Sequence, residues 1–90
     1  MYQAHLIISG RVQGVCYRAS CQEVAQRLGL AGWVKNLPTG QVEVLAQGEK
    51  EKIEKLIEWC RKGPPGARVN DVEVEWTEPV KCFEEFQVIL

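Results

Sequence analysis

Apolar side chains recur along this chain at two spacings, every second residue and every third to fourth, and the two spacings alternate in blocks. The run Ala4 to Ser9, A-H-L-I-I-S, is mostly apolar and β-rich, which suits a central strand. Cys21, Val24, Ala25 and Leu28 then fall at i, i+3, i+4 and i+7, one stripe of a helix that Gly29 is placed to end. Trp33 to Leu37 reads as a second strand, Pro38-Thr39-Gly40 as its turn, and Gln41 to Gln47 as a third strand returning beside it in a hairpin. A second helical stripe, Ile53, Leu56, Ile57 and Cys60, lies within Glu49 to Lys62, with Gly63 as the expected C-cap residue. Glu49 and Glu51 stand near that helix's start and Arg61 and Lys62 near its end, as the macrodipole favours. Its i,i+4 pairs, Lys50 with Glu54 and Glu51 with Lys55, read as a solvated face. Gly63 to Ala67, G-P-P-G-A, is a loop. Val72, Val74 and Trp76 alternate with Glu73 and Glu75, which predicts a strand with one buried face, and Phe86, Val88 and Leu90 repeat the pattern.

The predicted order is therefore β-α-β-β-α-β with an additional C-terminal strand. Both helix stripes need the same sheet face to bury them. Two interleaved right-handed split β-α-β units, the ferredoxin-like two-layer α+β sandwich, satisfy that requirement, although periodicity alone leaves the place of an edge strand open.

For 90 residues the surface-scaling rule gives a folded area of roughly 5,300 Å² and a buried share of roughly 64%, enough for one modest core, so residues 1–90 are expected to form a single domain. A composition of 46% hydrophobic and 26% charged residues is that of a soluble globule, and no apolar run approaches the roughly 20 residues of a membrane span. Met1 to Gly10 lacks a cationic start, a long apolar region and a processing site, so the expected location is cytoplasmic. Eleven basic against twelve acidic residues leave a net charge of -1, which supplies no field for nucleic acid; affinity for an anion must be local. Cys16, Cys21, Cys60 and Cys82 form no C-x-x-C pair and His5 cannot complete a zinc set with them, so neither a metal nor any other cofactor is expected. Cys21 and Cys60, on apolar helix faces, are expected to be free buried thiols.

Gly10 to Arg18, G-R-V-Q-G-V-C-Y-R, offers such a local site. Gly10 and Gly14 permit tight backbone paths, the amides of Gln13 to Tyr17 can converge, and Arg18 presents a fork of donors to two oxygens. Backbone N–H groups at a helix start with one guanidinium suit a phosphate-like oxyanion. The spacing fits neither the P-loop nor the dinucleotide fingerprint, which argues against a nucleotide cofactor. The simpler reading, a plain turn with Arg18 solvated at the helix start, conflicts with the helix dipole unless an anion accompanies the arginine.

That motif, together with Gly32-Trp33-Val34-Lys35-Asn36 followed by Gly40-x-Val42 and Gly48, resembles the acylphosphatase family; Gly63-Pro64-Pro65-Gly66-Ala67-x-Val69 and the Phe86 strand extend the resemblance over nearly the whole chain. It implies the ferredoxin-like fold and hydrolysis of the carboxyl-phosphate anhydride of acyl phosphates to a carboxylate and inorganic phosphate. It further implies that Gln13, Gly14, Val15, Cys16, Tyr17 and Arg18 cradle the phosphate, and that Asn36 positions the attacking water. Taken alone, Asn36 reads as a strand-end residue satisfying a turn. Tyr17 stands where the family most often has phenylalanine, and its hydroxyl then needs a polar partner. Cys16 is read as a small loop side chain rather than a nucleophile, which would require a phosphocysteine. The alternative of another class is a non-enzymatic module binding a phosphate- or carboxylate-bearing partner through the same cradle, which would have no need of Asn36. An RNA-binding sheet is weaker still, since no stacking-aromatic signature is present. The expected partners are acyl phosphate and inorganic phosphate, with no nucleic acid and no membrane.

Overall fold

A computed structural model describes residues 1–90. The chain runs β1 (Tyr2–Arg11), α1 (Tyr17–Arg27), β2 (Ala31–Asn36), β3 (Val42–Gly48), α2 (Lys50–Lys62), β4 (Arg68–Thr77) and β5 (Phe86–Ile89). The strands form one sheet in the order β4-β1-β3-β2-β5. β1 and β2 both run antiparallel to β3, which lies between them, so β1-α1-β2 is a split unit; β3-α2-β4 is a second, straddling β1. This is the ferredoxin-like α+β sandwich. The extra strand, whose place the pattern left open, adds to the β2 edge in parallel, with Gly32 opposite Phe86 and Val34 opposite Val88.

The even-numbered residues of β1, β2 and β3 face the helices, and the apolar members Ala4, Leu6, Ile8, Val34, Val42, Val44 and Ala46 are fully buried. From α2 all four residues of the expected stripe join them. From α1 the fully buried positions are Tyr17, Cys21 and Ala25, with Val24 and Leu28 packed at the margin. The eighteen buried apolar residues make one continuous cluster, which is why both helices lie on one face. The folded area, 5501 Å², is close to the scaling expectation. No helix is long and apolar enough to cross a membrane.

α1 ends in a Schellman motif, with the N–H of Gly29 on the Gln26 carbonyl and that of Leu30 on the Ala25 carbonyl. On its surface Glu23 pairs with Arg27, whereas the i,i+4 pairs spaced along α2 do not close into ion pairs. Two predicted burials are corrected. Trp76 is 41% exposed on the edge strand β4; its ring meets Tyr2 edge-on at 6.4 Å, and only the Lys50 ammonium from the first residue of α2, 5.9 Å from the ring centroid, reaches over it. Leu90 lies beyond β5 and is exposed.

Candidate active site

Ser9 and Gly10 mark a register shift in the β1–β4 pairing, where β1 bends toward the loop that follows. A β-carbon on Gly10 would stand 2.1 Å from the Arg68 carbonyl oxygen, so only glycine lets β4 come this close. The loop then turns at Gly14, φ 76°, and enters α1 through Cys16, whose φ of 64° makes it the one non-glycine residue in the left-handed region. Two left-handed residues in a stretch of three turn the backbone sharply. The N–H groups of Gln13, Gly14, Val15 and Cys16 donate to no carbonyl or side chain of the protein. Cys16 supplies no side-chain cap, and the first turn of α1 contains no acidic residue. The positive end of α1 is therefore uncompensated.

Arg18 lies in that first turn, half-buried, with no ion pair and no hydrogen bond to the protein. It lines a concavity of about 380 Å³ together with Gly14, Cys16, Tyr17 and Asn36. Asn36 arrives from the last position of β2, opposite Val42, and its Oδ1 is the one buried side-chain polar atom in the chain without a partner. A buried acceptor left unpaired costs about 1–3 kcal/mol, so its retention at the rim of this concavity points to a ligand or water that completes it. The turn does not need Asn36. It is closed by the Leu37 N–H on the Gln41 carbonyl (2.8 Å) and the Gly40 N–H on the Leu37 carbonyl (3.1 Å).

Gln13 and Val15 take different positions from their neighbours in the loop. The Gln13 amide Nε2 donates to the carbonyls of Leu37 (2.8 Å) and Gln41 (2.9 Å), tying the loop to the turn that follows Asn36. Gln41 in turn donates to the Ser9 hydroxyl at 2.9 Å, so the ends of β1, β2 and β3 are cross-braced. Val15 packs against the core edge beside Gly66. Neither side chain lines the concavity. The sequence pattern does not reveal this bracing, because Gln13's partners lie 24 and 28 residues away and are backbone carbonyls, which leave no mark on local patterning. Nor does it reveal Val12, Ala19 and Val88 as lining residues.

Beneath the loop, Tyr17 is fully buried and its hydroxyl donates to the Cys60 carbonyl at 2.7 Å. Its ring centroid lies 5.2 Å from that of Trp59. Burial, reinforced by Cys60, pushes its phenol far above the usual range, so it stays a protonated donor. A hydrogen bond with Cys60 and burial likewise hold the Cys21 thiol well above its ordinary value. All four cysteines are free, Cys21 and Cys60 buried as expected. Tyr17 thus anchors the start of α1 to α2.

A larger concavity, about 570 Å³, lies between α1, α2 and the 63–67 loop. Its arginine, Arg27, is already paired with Glu23, and it contains no orphaned buried atom. Size alone therefore does not single out the candidate site. Only the smaller concavity combines an unpaired guanidinium, free loop amides and an unpaired buried amide oxygen.

Known proteins share this fold. An acylphosphatase of Syntrophobacter fumaroxidans is 54% identical over 86 residues, covering 96% of this chain and 89% of that one. An acylphosphatase of Thermococcus kodakarensis is 52% identical over 87 residues, covering 97% and 94%. The crystal structure of acylphosphatase from Bacillus subtilis superposes with a TM-score of 0.96 at 36% identity, covering all of both chains. The acylphosphatase family model matches residues 4–88, from the first core strand to the last, and with relatives this similar over nearly their full length the chain belongs to the acylphosphatase family.

Proposed function

We propose that the chain hydrolyses acyl phosphates at the concavity between the β1–α1 loop and the end of β2. A water oxygen attacks phosphorus, the bond from phosphorus to the bridging carboxyl oxygen breaks, and the products are a carboxylate and inorganic phosphate. The water's proton passes to solvent or phosphate. The loop amides of Gln13 to Tyr17 and the Arg18 guanidinium receive the phosphoryl oxygens, and their bonds strengthen as those oxygens gather charge. Asn36 offers the attacking water an acceptor and, by a half-turn of its amide, a donor. An amide is no general base, and none is needed: the carboxylate is a good leaving group and the phosphoryl transition state is loose, so positioning and electrostatics suffice. Cys16 serves as backbone in this scheme.

The observation that carries the proposal is the Asn36 oxygen, buried and unpaired in the same concavity as an unpaired arginine. A module that only binds an anion has use for Arg18 but none for Asn36. Four free thiols suit a reducing compartment, which supports a cytoplasmic setting. The test is hydrolysis of acetyl phosphate against a stable phosphomonoester by purified protein, with and without a chelator. No group of three His, Cys, Asp or Glu side chains is arranged to hold a metal ion, so acyl phosphate turnover is expected to survive chelation. Inertness toward acetyl phosphate, with phosphate binding intact, favours the binding module.

A further inference from the structure

Three of the six large apolar side chains left exposed, Met1, Tyr2 and Trp76, gather where β1 begins and β4 ends. Contiguous exposed apolar surface of this kind marks a place where something binds, whereas single exposed side chains need no explanation. The Tyr2 and Trp76 ring planes are nearly perpendicular (86°), so the pair makes a two-walled aromatic corner. What stands over that corner is a cation. The Lys50 ammonium lies 5.9 Å from both ring centroids, at the outer limit of roughly 6 Å within which a ring face attracts positive charge. Beside it a hollow of about 380 Å³ opens among Met1, Tyr2, Gly48 and Glu49, and neither Lys50 nor the Glu49 carboxylate is engaged in an ion pair. The corner thus offers two π faces, a thioether and an uncompensated carboxylate, and its own cation holds the position of weakest contact. A primary ammonium is strongly hydrated and keeps its water at that distance. An ammonium carrying methyl groups presents its charge on an apolar surface, which can settle against both rings and cover the patch.

We infer that Tyr2 and Trp76 form a binding site for a quaternary ammonium group, which displaces the Lys50 side chain from the corner. The site is separate from the candidate active site, which follows the last residue of β1: the ten residues of that strand span about 30 Å.

The test is a titration of the purified protein with choline and with 3,3-dimethylbutan-1-ol, its neutral isostere with carbon in place of nitrogen, at constant ionic strength. The indole N–H resonance of Trp76, assigned by its loss in Trp76→Leu, reports binding, and those of Trp33 and Trp59 serve as internal controls. Choline should move the Trp76 resonance saturably in the millimolar range and bind about 5- to 30-fold more tightly than the isostere, the worth of two exposed cation–π contacts. Lys50→Met keeps an apolar stem but removes the competing charge, and should tighten choline about 2- to 5-fold. Tyr2→Leu, at an exposed position, leaves the reporter in place and should lower the preference for choline over the isostere by a similar factor. Acetyl phosphate hydrolysis should be unchanged in Lys50→Met and Tyr2→Leu. The site is overturned by the absence of a saturable choline shift in the wild type, by equal affinity for choline and its isostere, or by a Lys50→Met affinity no higher than that of the wild type.

Discussion

The two helices of this fold begin in opposite ways, although each crosses from one strand to a parallel strand with one antiparallel strand between them. α2 leaves β3 through Glu49 alone, whose backbone is extended (φ -71°, ψ 141°) and whose carbonyl accepts the N–H groups of Lys52 and Ile53. α1 leaves β1 through five residues, two of them left-handed, with four loop N–H groups unpaired. Counting from the capping residue, the second helical position is Glu51 in α2 and Arg18 in α1. Glutamate there compensates the helix dipole; arginine opposes it. Neither helix has a side-chain cap, but α2 has the acidic Glu51 in its first turn where α1 has Arg18 and no acidic residue. The site thus arises from what the first crossover withholds from itself, placed next to the orphaned oxygen of Asn36.

Arg18→Ala is the strongest way to break that contrast. Losing one partner of a charge-assisted anion contact corresponds to about 2–5 kcal/mol, or roughly 30-fold to several-thousand-fold in kcat/KM. Inorganic phosphate should bind more weakly as well. Steady-state kinetics and phosphate titration on the folded variant check both, and near-native values in each would make α1's open terminus a plain helix start.

Asn36→Ala sharpens the same contrast by separating capture from reaction. Turnover should fall about 100-fold, the scale of a misplaced reactant, while phosphate affinity changes little, because loop and arginine remain. A parallel fall in affinity and turnover would place Asn36 in the cradle's support rather than beside water.

Much of this architecture is legible in the amino-acid order. The α2 stripe and the alternation in β1 and β3 state their own partners, since each must bury one face and the sandwich offers only one common surface. Trp76 misleads for a physical reason: its alternation with Glu73 and Glu75 is real, but near the end of an edge strand it meets only the side chains of Tyr2 and of Lys50 at the start of α2, which leave it 41% exposed. At the candidate site, Gly10, Gly14, Arg18 and the resemblance of the two motifs point to the same loop in which the structure leaves backbone N–H groups unpaired. Gln13 shows the limit, because a side chain that braces distant carbonyls looks in sequence like any polar loop residue. The missing partner of Asn36 is a property of burial, and no local pattern encodes it.

Helix-terminus stability gives a smaller effect that tests the comparison directly. Without phosphate and at low salt, Arg18→Gln removes an unfavourable charge and should stabilise the fold by about 0.3–1 kcal/mol, and Glu51→Gln should destabilise it by a similar amount. Thermal unfolding would show opposite displacements of roughly 1–8 °C. Added phosphate should raise the midpoint of the wild type more than that of Arg18→Gln. Two displacements of the same sign would mean that the α1 terminus is compensated by the protein after all.

The smallest effects belong to Cys16, the residue through which α1 departs most from α2. Its left-handed backbone costs about 1–2 kcal/mol for a side-chain-bearing residue, and glycine would remove that strain. Glycine also loses more freedom on folding, about 0.5–1 kcal/mol, so Cys16→Gly should change stability by about 0–1.5 kcal/mol, in the stabilising direction. Cys16→Ser retains both the conformation and the cap position, and with water as the nucleophile its turnover should stay within about twofold of the wild type. Kinetics, thermal unfolding and mass spectrometry of protein quenched during turnover check these expectations together. A folded but inactive Cys16→Ser variant, with a phosphorylated cysteine trapped in the wild type, would convert this exposed thiol from a turn residue into the nucleophile and displace Asn36's water from the mechanism.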